Sequence, residues 1–270
     1  MSRFFLHIFL TLIAAIPVVQ AQNLVYNGSF EEYSECPQGN ELNNGQFERA
    51  VGWFRPTLGT PDYYNRCSNG IVGVPSNFWG YQEPFEGNGY VGFGAVTWGE
   101  NGEITGNEYI RSELVHPLKP CVEYRFSMYV SLANISTHGV RQLGALFTED
   151  NQFSQTWLTL IASPQVKYNG NPIIDTVDWI KVEGTFIANG FEKYLTIGYF
   201  QNSVYMDTVF IQDWGFGSEA LYFVDSISVY EVGSMSNEIC DLGEITFPNV
   251  ITPNNDGHND YLDASSYFVI

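Results

Sequence analysis

Aromatic side chains are dense between residues 53 and 98, where they alternate with turn residues and with hydrogen-bonding side chains. A flat aromatic face can stack on the C–H face of a sugar ring, while nearby carboxylates and amides bind the sugar hydroxyls. This stretch therefore predicts a carbohydrate-binding cleft; the alternative for any single aromatic residue is a place in the core. The candidates lie beside Gly or Asn in expected loops: Trp79, Tyr81 and Trp98 as stacking platforms, and Asp62, Asn77 and Gln82 as hydrogen-bonding groups.

Asp225 is a candidate cation ligand. It lies in the alternating segment 221–232, on the same period-two face as Phe223, Ile227 and Val229, and this parity predicts that its carboxylate points toward the core. A carboxylate in that position needs a partner or a cation, and calcium binds oxygen ligands of this kind. The alternative is that backbone N–H groups of the adjoining loop satisfy the carboxylate.

Four cysteines, Cys36, Cys67, Cys121 and Cys240, are widely spaced along the chain. They form no CxxC pair and have no histidine at zinc-finger spacing, so a zinc site is not expected. Four cysteines allow three disulfide pairings. We expect Cys36–Cys67 because both lie in one loop-rich N-terminal segment, which leaves Cys121–Cys240.

The common motifs of catalysis do not occur in the sequence. It contains no GxSxG, HExxH, P-loop or dinucleotide-binding glycine pattern, and beyond residue 21 its histidines are His116, His138 and His258. We therefore expect a protein that is not an enzyme, and we assign no catalytic residue. The alternative is a glycoside hydrolase, because folding could bring together two of the 30 Asp and Glu residues.

The charge balance excludes one class of partner. Eleven Lys and Arg oppose 30 Asp and Glu, for a formal net charge of -19; this charge repels phosphate backbones and excludes charge-driven binding of nucleic acid. No Lys or Arg follows Lys193. The acidic C-terminal third indicates either calcium binding or a solvated acidic surface.

Alternating patterns predict many short strands. The clearest lie at residues 121–132, 179–186, 194–200 and 221–232, and shorter ones at 24–30, 90–96, 109–114 and 142–147. No long amphipathic helix is indicated. Short strands separated by Gly, Asn and Pro are typical of an all-β, antiparallel β-sandwich or barrel. Residues 31–89 show few strand patterns and are predicted to form long loops, which a Cys36–Cys67 disulfide would tie together.

Residues 1–21 have the pattern of a secretory signal peptide. Arg3 precedes an apolar run, and Val19 and Ala21 are small residues at the −3 and −1 positions of a cleavage site. An uncleaved anchor is the alternative, although the run is short for a membrane span, and no later stretch is long and apolar enough to be one. We expect a domain at 22–232, a linker at 233–246, a terminal segment at 247–270, and a secreted or cell-surface location reached through the periplasm.

Segments in residues 22–232 resemble a known fold family. The opening NLVYNGSFE at 23–31 and the later segments WIKVEGTF, KYLTIG and YFVDSISVY are similar to the first and closing strands of galactose-binding-like, jelly-roll carbohydrate-binding modules. The resemblance implies a jelly roll with long N-terminal loops. It also implies a structural calcium ion held by Glu31, Asp225 and backbone carbonyls. The chain has Ser226 where the family often has a second Asp.

The tail resembles a second family. PNVITPNNDGHND, at residues 248–260, is similar to the opening of the gliding-motility-associated C-terminal domain, the sorting signal of type IX secretion. That domain continues well past the two dozen residues present here, so the resemblance implies a fragment of a longer protein or a truncated signal. Asn254, Asp256 and Asp260 are oxygen-rich and faintly like a calcium loop, but a turn-rich sorting motif without metal is the favoured interpretation.

These observations together predict a secreted, non-catalytic module that binds a glycan or a cell-surface polysaccharide. Its other expected partner is the type IX export machinery, if the sorting domain is complete. The alternative is a calcium-stabilised adhesion or structural module of a larger surface protein. Fold alone does not decide between them.

Overall fold

The computed structural model describes residues 22–38, 46–99, 101, 103–201, 208–213 and 218–234. The predicted signal peptide, the sorting segment with its oxygen-rich cluster, and nearly all of the predicted linker lie outside these residues, as do Cys240 and His258. Within the described ranges, no helix is long and apolar enough to span a membrane.

The described chain consists of fifteen β-strands and one 3-10 turn at Gln46–Arg49, with no α-helix. The strands are β1 Trp53–Phe54, β2 Asp62–Asn65, β3 Ser76–Asn77, β4 Gly80–Tyr81, β5 Gly89–Trp98, β6 Ile104–Gly106, β7 Tyr109–Glu113, β8 Val122–Leu132, β9 His138–Val140, β10 Leu143–Thr148, β11 Val166–Lys167, β12 Ile180–Ile187, β13 Tyr194–Tyr199, β14 Thr208–Phe210 and β15 Ser218–Ser234. The last strand thus continues two residues into the expected linker.

The strands form two main antiparallel sheets. One has the order β1-β7-β13-β10-β11, and the other has the order β12-β8-β15-β5-β2 with β6 paired to β5. The strands of five residues or more, β5, β7, β8, β10, β12, β13 and β15, alternate between the two sheets in chain order. This alternation is that of a jelly roll, and it confirms the predicted all-β antiparallel sandwich.

The main core lies between the two sheets. Along β8, Tyr124, Phe126, Met128 and Val130 are fully buried, while the residues between them are at least partly exposed. Successive side chains of a strand point to opposite faces, so this period-two pattern lets one sheet bury one face. Each large apolar side chain buried in this way contributes about 1.5–3 kcal/mol to folding.

A second apolar cluster covers the outer face of the larger sheet. It contains Tyr64, Val72, Tyr90, Ala133, Leu221 and Phe223, with Trp79 and Trp179 packed against it. It forms because the segment after β2 folds back over this face. A disulfide between Cys36 and Cys67 ties that segment to the N-terminal loops, as predicted. Cys121 is also disulfide-bonded.

Among the register shifts of the larger sheet, two β-bulges decide the faces of predicted site residues. Opposite Ala220 and Leu221, β5 contains an extra residue, and the register of β15 against β8 shifts between Asp225 and Ser228. Beyond the second bulge Ile227 packs in the inter-sheet core, whereas Asp225 lies on the outer face. The prediction that Asp225 shares a face with Ile227 is therefore wrong, because the bulge reverses the strand's parity.

The predicted strand at residues 24–30 is the other correction. Only Val25 forms a bridge there, to Leu114, and the segment then turns. Asn27 and Phe30 have φ angles of 51° and 58°, in the left-handed region that extended strands do not use. This segment becomes a wall of the cleft described below.

Candidate functional site

A cleft of about 570 Å³ lies on the outer face of the larger sheet, where β8 and β15 are neighbours. Its floor includes the cross-strand pair Ser127 and Ser228, whose hydroxyl oxygens are 2.9 Å apart. Tyr129 on β8 and Tyr230 on β15 flank that pair. We call this the β8–β15 cleft. It is lined by Asn23, Val25, Asn27, Gly28, Ser29, Glu31, Glu32, Phe85, Glu86, Ser127, Tyr129, Ser226, Ile227, Ser228 and Tyr230.

One wall is the N-terminal segment, residues 23–32, which lies beside the second half of β15. The Asn23 side chain donates to the Ile227 carbonyl oxygen at 3.0 Å and accepts from the Val229 N–H at 2.9 Å. The Ile227 N–H in turn donates to the carbonyl oxygen of Gly28. A Cβ at Gly28 would overlap the Ile227 carbonyl oxygen, so this close approach requires glycine.

Asn27 shapes the turn at the end of this wall. Its side-chain oxygen accepts from the Glu32 N–H, and its amide donates to the carbonyl oxygens of Glu32 and Val51. Asn tolerates the left-handed φ needed there better than most residues. The Tyr26 hydroxyl donates to the Glu32 carboxylate. The turn thus places Glu32 at the rim with one carboxylate oxygen engaged.

The opposite wall is the loop 85–89. The ring of Phe85 stacks on Tyr129, with centroids 3.6 Å apart and planes 15° apart, yet 43% of the Phe85 surface stays exposed. Glu31 anchors the loop by accepting from the N–H groups of Asn88 and Gly89 at 2.7 and 2.9 Å. The contact with Tyr129 and the hydrogen bonds to Glu31 therefore fix the loop so that the exposed part of the Phe85 ring faces the cleft.

Asp225 holds the same loop from beneath. It is fully buried and accepts from the Glu86 N–H at 3.0 Å and the Ser226 N–H at 2.6 Å. Burial raises the pKa of Asp225 to about 8, although N–H donors including that of Phe85 oppose this rise. The Ser226 hydroxyl donates to the Glu86 carboxylate at 2.9 Å.

The arrangement around the two expected calcium ligands does not fit a calcium ion. Glu31 and Asp225 both face N–H donors, whereas calcium needs oxygen ligands directed at it. The described residues also contain no group of three or more His, Cys, Asp or Glu placed to hold a metal. The geometry matches the alternative in which loop N–H groups satisfy Asp225. Calcium binding stays a prediction from the sequence.

Four of the six predicted glycan-binding residues meet around the β3–β4 hairpin, which lies outside the cleft. Tyr81 is 56% exposed, and Trp79 packs on the outer apolar cluster. Asn77 donates to the Tyr90 hydroxyl at 2.9 Å and accepts from the Trp79 N–H. Gln82 is buried and bonded to Ser131, Glu83 and Val177, so its amide is used within the protein.

The other two predicted residues lie elsewhere. Asp62 is buried on β2 and accepts from the Tyr64 hydroxyl at 3.2 Å. Trp98 packs against the inter-sheet core, with its ring centroid 4.6 Å from that of His138. The bulge in β5 turns Trp98 to the face opposite Trp79. The six residues therefore do not line one cleft.

Sequence reasoning missed most of the floor of the cleft. Ser127 belongs to the polar face of the predicted strand 121–132, and that pattern was available as a signal. Ser228 and Tyr230 lie on the same face as Ser127 only because of the bulge in β15, which the sequence pattern does not show. Phe85 lies within the aromatic stretch but has no local feature that separates it from its neighbours.

A separate carboxylate pair has raised pKa values outside the cleft. Burial and then the nearby charge of Glu108 raise the pKa of Glu219 to about 7. Burial also raises the pKa of Glu108, which accepts from the N–H groups of Thr60 and Gly94 at 2.8 and 2.7 Å. These hydrogen bonds give Glu108 a structural role, holding β5 against the segment before β2.

No family model matches the chain, and no curated protein sequence matches it. Among solved structures it is similar to the CBM22-1 xylan-binding domain of Paenibacillus barcinonensis Xyn10C, at 12% identity over 68% of this chain and 88% of that one, with a TM-score of 0.37. The CBM22-1–GH10 modules of Clostridium thermocellum xylanase 10B give 12% identity, 68% coverage and a TM-score of 0.36, and the chain spans 27% of that protein.

An adhesin domain is also among the similar structures. The K1 cleaved adhesin domain of Lys-gingipain from Porphyromonas gingivalis W83 matches at 14% identity over 68% of this chain and 92% of that one, with a TM-score of 0.31. These three likenesses are distant, and they carry no argument about what the chain binds.

Proposed function

We propose that this chain is a non-catalytic carbohydrate-binding module that takes a glycan in the β8–β15 cleft. The observation that carries the proposal is the exposed Phe85 ring, stacked on Tyr129 at the wall of a cleft whose lining includes several hydroxyl and carboxylate groups. An aromatic platform beside a few fixed polar groups is the usual composition of a small-ligand site. A sugar ring presents an apolar C–H face and a rim of hydroxyls, which match both parts.

The cleft is built to keep its shape without a ligand. Phe85 is supported from behind by Tyr129, and loop 85–89 is anchored by Glu31 and Asp225. A site that is already ordered loses less conformational entropy when it binds. The Ser127 and Ser228 hydroxyls on the floor can each exchange their mutual hydrogen bond for one to a sugar hydroxyl.

The proposed setting is the cell surface or the external medium. The signal-peptide pattern of residues 1–21 and the disulfide between Cys36 and Cys67 support export, since disulfides persist in oxidising compartments. The similarity of residues 248–260 to a type IX sorting domain supports passage across the outer membrane by that machinery.

The test is affinity electrophoresis and calorimetry of the folded protein against a panel of soluble polysaccharides, with Phe85→Ala as the cleft variant. We expect a loss of at least about tenfold in affinity, because aromatic contacts at binding hot spots contribute more than about 1 kcal/mol. Tyr81→Ala, an exposed aromatic outside the cleft, is the matched control and should bind as the parent does. Binding to no glycan, or equal losses in both variants, would overturn the proposed site.

A second candidate is an adhesion module that binds a protein partner. Its supporting observation is the apolar stretch at residues 153–161, where Phe153, Trp157, Leu158 and Ile161 are exposed, Ile161 to 87%. Such apolar patches mark interaction surfaces more often than single exposed residues do. Surface association that survives Phe85→Ala but is lost on Trp157→Ala together with Ile161→Ala would favour adhesion over glycan binding.

A further inference from the structure

The polar groups of the β8–β15 cleft are unevenly divided between donors and acceptors. Both lining amides are used within the protein: Asn23 bonds Ile227 and Val229, and Asn27 bonds Glu32 and Val51. Both N–H groups of Asn27 and one of the two N–H groups of Asn23 are therefore engaged within the protein. Most amide donors of the wall thus hold the wall together, and the other side-chain donors of the lining are mainly hydroxyl groups, which can also accept.

The residues that line the cleft have hydrogen-bond acceptors that are not fully used within the protein. Glu32 and Glu86 are exposed carboxylates, and each accepts one described side-chain hydrogen bond, from Tyr26 and Ser226 respectively. An ionised carboxylate offers about four lone-pair positions, so both retain acceptor capacity. Glu31 adds a third negative charge, although N–H donors of loop 85–89 occupy it.

No described residue that lines the cleft is a Lys or an Arg. Arg125 is the cross-strand neighbour of Tyr230 but lies outside the lining set. Lys181 is likewise the cross-strand neighbour of Tyr129 outside the lining, and it pairs with Glu183 at 2.7 Å. The lining residues themselves thus present negative charge and acceptor atoms without a cation. A ligand that donates hydrogen bonds matches these acceptors, and a positive charge on that ligand would be favoured.

We infer that the ligand of this cleft is a glycan with unacetylated amino sugars, whose ammonium group meets the Glu86 carboxylate while the sugar ring stacks on Phe85. This inference rests on the proposed function and narrows its substrate class. The two side chains are consecutive in the loop and line the same cleft, so one sugar ring can contact both. Uronic-acid and sulfated glycans would meet like charges and should be rejected.

The experiment compares a glucosamine disaccharide with its N,N′-diacetyl form by calorimetry on the full chain, at physiological ionic strength. The two ligands differ in charge but have the same ring size and linkage. We expect the free amine to bind about tenfold or more tightly, as a charge-assisted hydrogen bond does relative to a neutral one. A glucuronic-acid disaccharide should show no binding.

Variants separate a specific ammonium site from attraction to the acidic protein as a whole. Glu86→Gln and Glu32→Gln remove one charge at the cleft, and Glu149→Gln removes one charge near Lys193 on the other sheet. We expect the preference for the amine to fall in Glu86→Gln and to persist in Glu149→Gln. Glu32→Gln provides a second cleft variant should Glu86→Gln disturb the loop.

The outcomes distinguish this inference from the function on which it rests. Equal binding of both disaccharides, with loss in Phe85→Ala, would overturn the amino-sugar inference and leave a module for neutral glycans. Equal loss in Glu86→Gln and Glu149→Gln would assign the preference to net charge and overturn the inference as well. Absence of binding to these sugars and to every polysaccharide of the panel would overturn both.

Discussion

The Glu31 carboxyl group occupies the space directly in front of Gly87, so that a Cβ at residue 87 would overlap it. Gly87 also has a φ of 69°, which side-chain-bearing residues rarely adopt. The N-terminal wall and loop 85–89 therefore meet at a point where the left-handed backbone favours glycine and any Cβ would displace the Glu31 carboxyl group. The shape of the cleft depends on this contact between two segments 56 residues apart in the chain.

Gly87→Ala tests that contact. We expect a loss of about 1–3 kcal/mol in the free energy of unfolding, from backbone strain and from displacement of Glu31. Denaturant unfolding measures the change, and glycan affinity should fall with it. Gly233→Ala is the matched control, because a Cβ there meets nothing within 4 Å. Equal stability of the two variants would contradict the proposed contact.

The disulfide gives a second prediction. Cys36 and Cys67 are 31 residues apart, and closing a loop of that length in the unfolded chain corresponds to about 3–4 kcal/mol of stabilisation in the chain-entropy model. The double variant Cys36→Ala with Cys67→Ala should lower the free energy of unfolding by roughly that amount. If the free energy of unfolding falls only as much as it does for a surface substitution, then packing already keeps residues 31–89 in place without the disulfide.

The pH dependence of stability should reflect Glu219. Its pKa rises from 4.5 to about 7 on folding, so the folded protein binds an extra proton between these values. Stability from this group is therefore fully present below about pH 4.5 and is lost as pH rises through 7. Denaturant midpoints measured from pH 4.5 to 8 should fall, and Glu219→Gln should reduce that fall. The part that remains is expected from Asp225, whose pKa burial raises to about 8. An unchanged slope in the variant would remove Glu219 as its cause.

Chelation tests the calcium prediction directly. Because Glu31 and Asp225 already accept N–H donors, we expect the thermal midpoint to be the same in EDTA and in added calcium. A ligand that binds only the folded protein raises the midpoint by mass action. A higher midpoint in calcium would mean that loop 85–89 rearranges to direct oxygen atoms at the ion, and would support a calcium-stabilised module.

Much of the fold could be predicted because period-two patterning is a local property. Residues 121–132 alternate so regularly that β8 was predicted to within a residue at its start, and β5, β7, β10, β12, β13 and β15 were all located. Segment 24–30 failed because its apolar residues are set into a turn by Asn27 and Phe30. The hydrogen bonds that stabilise that turn come from residues such as Val51 and Ile227, which lie far away in the chain.

The candidate site was less predictable for the same reason. Gln82 and Asp62 have side chains suited to sugar hydroxyls, but burial commits both to partners within the protein. A residue's type states which bonds it can form, and only its surroundings decide which of them remain for a ligand.

By itself, the sequence determined the strands, the sheet faces between bulges and the acidic charge, because each depends on residue type and short-range spacing. It favoured the Cys36–Cys67 disulfide among three possible pairings. Tertiary structure alone decided that Phe85 stacks on Tyr129, that Ser127 meets Ser228, and that Asp225 turns away from the core. Those contacts join segments about 40 to 140 residues apart, and the bulge in β15 sets the faces of Ser228 and Asp225. A single extra residue in a strand reverses every face that follows, and no local pattern records it.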